Sequence, residues 1–133
     1  MQAPIKNAEE IELMRTSGKL LAQVFHMLDD FVKEGISTLE INDKVEDYIR
    51  NTLHSRPASL GQYGYEFVLN SSINDVVCHG IPKATQVLKA KDIVNIDITL
   101  EKGGFIADSS KTYVMSNASP IAKRLVKTTY DAM

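Results

Sequence analysis

Apolar residues recur at Ile11, Met14, Leu21, Val24, Phe25, Leu28 and Val32, three or four positions apart in the main. That spacing puts side chains on one face of a helix. Asn7 followed three residues later by Glu10 predicts a capping box at its start, and Gly35 marks its end. Ser37 with Glu40 repeats the pattern and opens a second helix, whose inward face is Ile41, Val45, Tyr48, Ile49 and Leu53. The helical period then breaks. Pro57, Ser59, Gly61, Gly64, Asn70, Ser71 and Ser72 punctuate residues 55–73, which predicts loop, a short strand over 65–69 and a turn over 71–74. Val76, Val77, Cys78 and His79 predict a strand stopped by Gly80-Ile81-Pro82, and a polar linker follows over 83–92. From residue 94 the period becomes two. Val94, Ile96, Ile98 and Leu100 face one way and Asn95, Asp97 and Thr99 the other, the alternation of a half-buried strand with a polar working face. Ser119-Pro120 places an N-cap before a first-turn proline. Ile121, Leu125 and Thr128 or Thr129 then carry a third helix predicted to run to Met133, so that the chain ends inside it.

Composition narrows the setting. A chain of 133 residues, 44% hydrophobic and 24% charged, suits one globular domain. A net charge of −2 offers no patch for nucleic acid or an anionic membrane surface. A single cysteine, Cys78, allows no internal disulfide and fits a reducing compartment. Residues 1–10 have no apolar stretch of the signal-peptide kind. No apolar run approaches the roughly 18 residues of a membrane span. The expected location is the cytoplasm.

The candidate chemistry lies on the third strand-like segment and its continuation. Asp97 and Asp108 flank the turn Glu101-Lys102-Gly103-Gly104. Centring the hairpin on Lys102 and Gly103 pairs 100 with 105, 99 with 106, 98 with 107 and 97 with 108. Two carboxylates opposed in this way destabilise a sheet unless a cation or a shared proton lies between them. A slip of one residue would send Asp108 to the other face. With nitrogen ligands alongside, such carboxylates suit Mn, Fe, Co or Zn. Two metals bridged by shared carboxylates could activate water for attack on a carbonyl. His79, before Gly80, is placed either to enter a cleft or to cap the strand end. A Cys78–His79 nucleophile pair is excluded, because adjacent strand residues point to opposite faces. His26 and His54 are assigned to helix surfaces or helix packing, and Tyr63 and Tyr65 either line a pocket or pack the core.

Three strings carry a family resemblance: Asn-Asp-Val-Val-Cys-His-Gly-Ile-Pro over 74–82, Asp-Ile-Val-Asn-Ile-Asp-Ile-Thr over 92–99, and Gly-Phe-Ile-Ala-Asp-Ser-Ser-Lys over 104–111. With the opening helix at residues 5–18, they resemble type I methionine aminopeptidase along nearly the whole chain. The resemblance implies an α/β (α+β) fold, half of a "pita-bread" fold, with an antiparallel sheet and amphipathic helices packed on one face. Residues 1–133 would be the N-terminal portion of that domain. It implies two divalent metal ions (Co, Mn, Fe or Zn) held by two Asp, one His and two Glu. Asp97 and Asp108 match the two Asp ligands, and His79 matches a histidine that contacts the substrate. The implied activity is removal of the initiator methionine from nascent proteins, with a peptide N-terminus as substrate.

The chain departs from that pattern in two places. After Asp108 it has no His or Glu, so three of the five ligands would have to come from a completing half or a homo-oligomer, and the chain alone is expected to be inactive. In the stretch matching the methionine pocket, Ser59 and Gln62 stand where the family commonly has Cys and Tyr. Asn70 stands at another Cys, Tyr65 matches, and Ile106-Ala107 replaces a His-Gly or similar pair. Amides at Gln62 and Asn70 are a poor lining for a thioether. The alternative expectation is a non-catalytic pita-bread module that binds a ribosome or another protein. A pita-bread peptidase of Xaa-Pro bonds fits the Val-Val-Cys-His-Gly-Ile-Pro string less well.

Overall fold

The computed structural model describes residues 4–133; the first three residues of the segment expected to lack a signal peptide lie outside the described residues. Helix α1 runs Ala8–Phe31, and its start is the predicted capping box. The Asn7 side chain accepts from the Glu10 N–H at 2.9 Å, and Glu10 accepts from the Asn7 N–H at 2.8 Å. The helix closes at Val32, ahead of Gly35, which takes a positive φ of 86° in the following turn. Helix α2, Thr38–Asp47, has its own capping box from Ser37 and Glu40 and passes into a π-helical turn at Tyr48–Thr52. His26 lies on α1, as expected, but His54 lies beyond the π-helical turn, with φ 48°.

Four strands form one antiparallel sheet: β1 Arg56–Pro57, β2 Leu69–Ile73, β3 Ile93–Lys102 and β4 Phe105–Val114. β1 and β2 share one edge of β3, and β4 pairs along the other. The strand predicted over 65–69 begins only at Leu69 and continues through the residues predicted as a turn. The physical reason is Ser71, a polar residue buried at a core position between Leu69 and Ile73, which hid the alternation. Residues 76–79 form no strand. Val77 is 92% exposed, and the segment loops outward before Gly80 returns to β2.

The hairpin register differs from the predicted one by two residues. Its loop is Gly103-Gly104, with φ of 61° and 86°, and Lys102 pairs with Phe105. A two-residue hairpin turn of the type that matches strand twist needs positive φ at both central residues, which two glycines adopt freely and Lys102 would not.

The helices cover one face of the sheet. Leu21, Val24 and Leu28 of α1 and Ile41 and Val45 of α2 meet Val94, Ile96, Ile98 and Leu100 of β3, all of them buried. Full burial of a side chain of this size contributes about 1.5–3 kcal/mol, so this layer holds the sheet in place. The expected α1 face is cut short at its start, where Ile11 and Met14 are each 40% exposed. Ser17 ties α1 to the hairpin end by donating to the Phe105 carbonyl at 2.7 Å. The buried Asn42 side chain accepts from the Val68 N–H at 2.9 Å and sets the entry to β2. Helix α3, Pro120–Asp131, starts from the predicted Ser119 cap and ends with Ala132 as its C-cap, just short of Met133; none of its residues is buried. Among the described residues, no helix is long and apolar enough to cross a membrane.

Candidate functional site

The face of the sheet turned away from the helices is polar. Cross-strand pairing brings Asn70, Asp97 and Ser110 into one row, Ser72, Asn95 and Thr112 into a second, and Thr99 with Asp108 into a third. The aspartates are therefore not directly opposed, as the predicted register had them. Asp97 faces Ser110, Asp108 faces Thr99, and the two carboxylates are diagonal neighbours on the same face. Diagonal Cβ atoms lie about 7–8 Å apart, and the side chains close the gap. Burial pushes the Asp97 carboxyl above the usual carboxylate range, and the charge and hydrogen bonding of Asp108 raise it further. The Asn70 amide and the nearby His79 pull it back in part. Thr99 donates its hydroxyl to Asp108 Oδ1 at 3.3 Å.

His79 reaches this face from a loop, not from a strand end. Its φ is 55°, a left-handed conformation that a non-glycine residue adopts only where its surroundings hold it. The restraint comes from Gly80. The Gly80 N–H donates to Ser72 Oγ at 3.1 Å, and the Ser71 N–H donates to the Gly80 carbonyl at 2.7 Å. A Cβ on Gly80 would lie 2.0 Å from the Ser71 carbonyl oxygen, so only glycine permits this approach. The same loop leaves Cys78 exposed as a free thiol. The strand argument that set it apart from His79 does not apply to a loop.

Tyr65 borders the pair. Its phenol donates to the Leu69 carbonyl at 2.8 Å, and its ring meets Phe67 edge-on at 5.8 Å. Burial and the Asp97 charge push its hydroxyl up. The structure thus brings together Tyr65, Asn70, His79, Asp97 and Asp108. Ser59 and Gln62 lie in the connection between β1 and β2, Ser59 buried and Gln62 exposed in the short turn Gln62–Gly64. Ser72 and Ser110 were missed by sequence reasoning, and Thr99 was placed on the polar face without a role. Period-two alternation marks Thr99, whereas Ser72 was hidden with the rest of β2. Also missed was a groove of about 690 Å³ that runs from Asp108 and Thr112 past Leu21 and Phe25 to Leu125 and Tyr130.

Carboxylate oxygens are suitable donors for a hard or borderline divalent ion, and the Asp97–Asp108 pair fits as two of its ligands. It does not make a whole set. Among the described residues, no group of three or more His, Cys, Asp or Glu side chains could hold a metal ion.

Comparison with known proteins adds the following. Residues 12–133 match metallopeptidase family M24. Methionine aminopeptidase of Escherichia coli K12 is 43% identical over 133 residues, which is 100% of this chain and 50% of that protein. The crystal structure of methionine aminopeptidase from Rickettsia prowazekii superposes with a TM-score of 0.93 at 37% identity, covering 98% of this chain and 52% of that one. The Thermotoga maritima methionine aminopeptidase structure gives 0.92 at 29% identity, with the same 98% and 52% coverage. Its sheet and helices are thus those of the pita-bread enzymes, and the chain spans about half the length of the relatives it matches.

Proposed function

The chain belongs to metallopeptidase family M24, and from that premise we propose that it carries the aspartate half of an aminopeptidase site that removes methionine from the N-terminus of nascent proteins. The observation that carries the reading is the convergence of Asp97, Asp108 and His79 on the open face of the sheet. In the reading, residues 1–133 are the N-terminal portion of the domain and act in the cytoplasm. The three remaining ligands come from a completing half, or from a second copy in a homo-oligomer.

Asp97 and Asp108 would hold two divalent ions, drawn from Co, Mn, Fe or Zn, which when bound polarise the scissile carbonyl and lower the pKa of water. Thr99 keeps the Asp108 carboxylate turned toward the shared face. His79, fixed by the Gly80 clamp, donates a hydrogen bond to the substrate. Tyr65 and Asn70 wall the position of the first side chain. The Asn70 amide is more polar than a methionine thioether prefers, so selectivity for methionine over other small N-terminal residues should be modest.

A second reading is a non-catalytic module that docks on a ribosome or another protein. The lack of a three-ligand cluster among the described residues favours it; two carboxylates held together against their own repulsion favour the enzyme. Thermal unfolding with and without Mn²⁺ separates them. A ligand that binds only the folded state stabilises it by mass action, about 2.7 kcal/mol at a hundredfold excess over Kd. The metal reading expects a melting point that rises with Mn²⁺ in the wild type and stays put in Asp97→Asn. Equal response of the two proteins would refute it. For the activity, a polypeptide supplying the missing ligands should restore methionine release from a Met-initial peptide with the wild type and not with Asp97→Ala.

A further inference from the structure

A carboxylate that is to receive an ion is most effective when it is already oriented, and the hydrogen-bond donors around the Asp pair can be counted. Tyr65 has given its proton to the Leu69 carbonyl, so toward Asp97 it presents only acceptor lone pairs. Thr99 has given its proton to Asp108. Ser110, one of the two cross-strand neighbours of Asp97, receives the Asn95 amide at 3.2 Å and keeps its own O–H to donate. The other neighbour is Asn70, directly opposite Asp97 on β2 and on the same open face. Its side-chain amide faces Asp97 across the β2–β3 pairing. Asn70 and Ser110 are then the neutral donors that flank Asp97, Asn70 the amide of the two, and Thr99 serves Asp108.

We propose that Asn70 is the positioning residue of the Asp97 carboxylate: its side-chain N–H donates to one carboxylate oxygen and holds the group toward Asp108, ready for a divalent cation. The inference deepens the metal reading above and rests on it. It also accounts for an amide at a position where pocket lining alone would favour an apolar side chain. Outer hydrogen bonds to ligating groups change metal affinity by about 10–100-fold, and a donated N–H fixes a short carboxylate that otherwise rotates about two torsions.

The test uses the 133-residue chain, with Mn²⁺ as the probe and Asn70→Leu, Asp97→Ala and Asp108→Ala as variants. In the metal-free wild type, the Asn70 side-chain amide resonances should be shifted downfield. They should move back in Asp97→Ala and stay in Asp108→Ala. Titration calorimetry should show Mn²⁺ binding to Asn70→Leu weakened about tenfold or more, with its backbone spectrum otherwise native. Amide resonances that ignore Asp97→Ala would overturn the proposal, as would an Asn70→Leu affinity equal to wild type. If wild type and Asp97→Ala bind Mn²⁺ equally, the metal reading fails, and the amide resonances still decide whether Asn70 holds the Asp97 carboxylate.

Discussion

Replacing Asp97 with asparagine should stabilise the metal-free chain. Two carboxylates on diagonal positions whose side chains close to about 4 Å repel by roughly 1 kcal/mol at the dielectric of water and about 4 kcal/mol at an effective value of 20. Asp97 is half-buried and Asp108 exposed, so the pair sits toward the lower end, at about 1 kcal/mol. Asp97→Asn removes that repulsion while keeping the side-chain shape and an amide that can still meet Asn70. A change of about 1 kcal/mol moves the melting point of a domain this size by roughly 3–6 °C. The pH dependence follows from the raised Asp97 carboxyl. The folded wild type takes up its proton at higher pH than the unfolded chain does, so acidification through that range stabilises the wild type relative to its own neutral-pH state. The gap between Asp97→Asn and wild type is therefore widest at neutral pH and narrows as the pH falls through the folded Asp97 value. Added salt should narrow it too, and saturating Mn²⁺ should reverse the order. The assay is differential scanning calorimetry across pH in chelator-treated buffer. An Asp97→Asn chain that melts at or below wild type at pH 7, with a gap indifferent to pH, would refute the reasoning.

Two further substitutions probe the supports of the site. Ser71 Oγ is buried without a hydrogen-bond partner among the described residues, so Ser71→Ala should stabilise the chain by about 1 kcal/mol in urea unfolding; a loss of stability would mean that the hydroxyl has a partner. Gly80→Ala should cost more than about 2 kcal/mol, because its Cβ would collide with the Ser71 carbonyl at 2.0 Å, and it should shift the His79 imidazole resonances as the loop leaves β2. A native melting point for Gly80→Ala would show that the clamp is not tight.

The helices were legible because each carries its own start signal and period: Asn7 with Glu10, Ser37 with Glu40, and Ser119 with Pro120 set the starts that the structure shows. β3 was legible for the same reason, since one of its faces is wholly apolar. β2 was not. Asn70, Ser71 and Ser72 look like a turn in isolation, and only the pairing of Leu69–Ile73 along β3 makes them a strand. His79 was singled out for its place before Gly80, but the sequence could not say that the chain loops outward there. That depends on a backbone contact with Ser71 and Ser72, eight or nine residues away in sequence. Asn70 was legible as a pocket residue and illegible as a partner of Asp97, because its role depends on register.

The hairpin shows why a wrong register can still locate a site. Ten residues lie between Asp97 and Asp108, an even number, so any turn with an even number of loop residues leaves both on one face of the sheet. Moving the loop from Lys102-Gly103 to Gly103-Gly104 changed direct opposition into a diagonal contact, and both aspartates stayed on the helix-free side. A loop with one more or one fewer residue would turn Asp108 toward α1 and leave Asp97 alone on the polar face. Turn length is therefore as much a part of the candidate site as the carboxylates. It is set by the two consecutive glycines at φ of 61° and 86°, since a pair of residues that both accept the left-handed region selects the two-residue loop. Gly103 and Gly104 touch no ligand, yet they decide whether the two carboxylates meet.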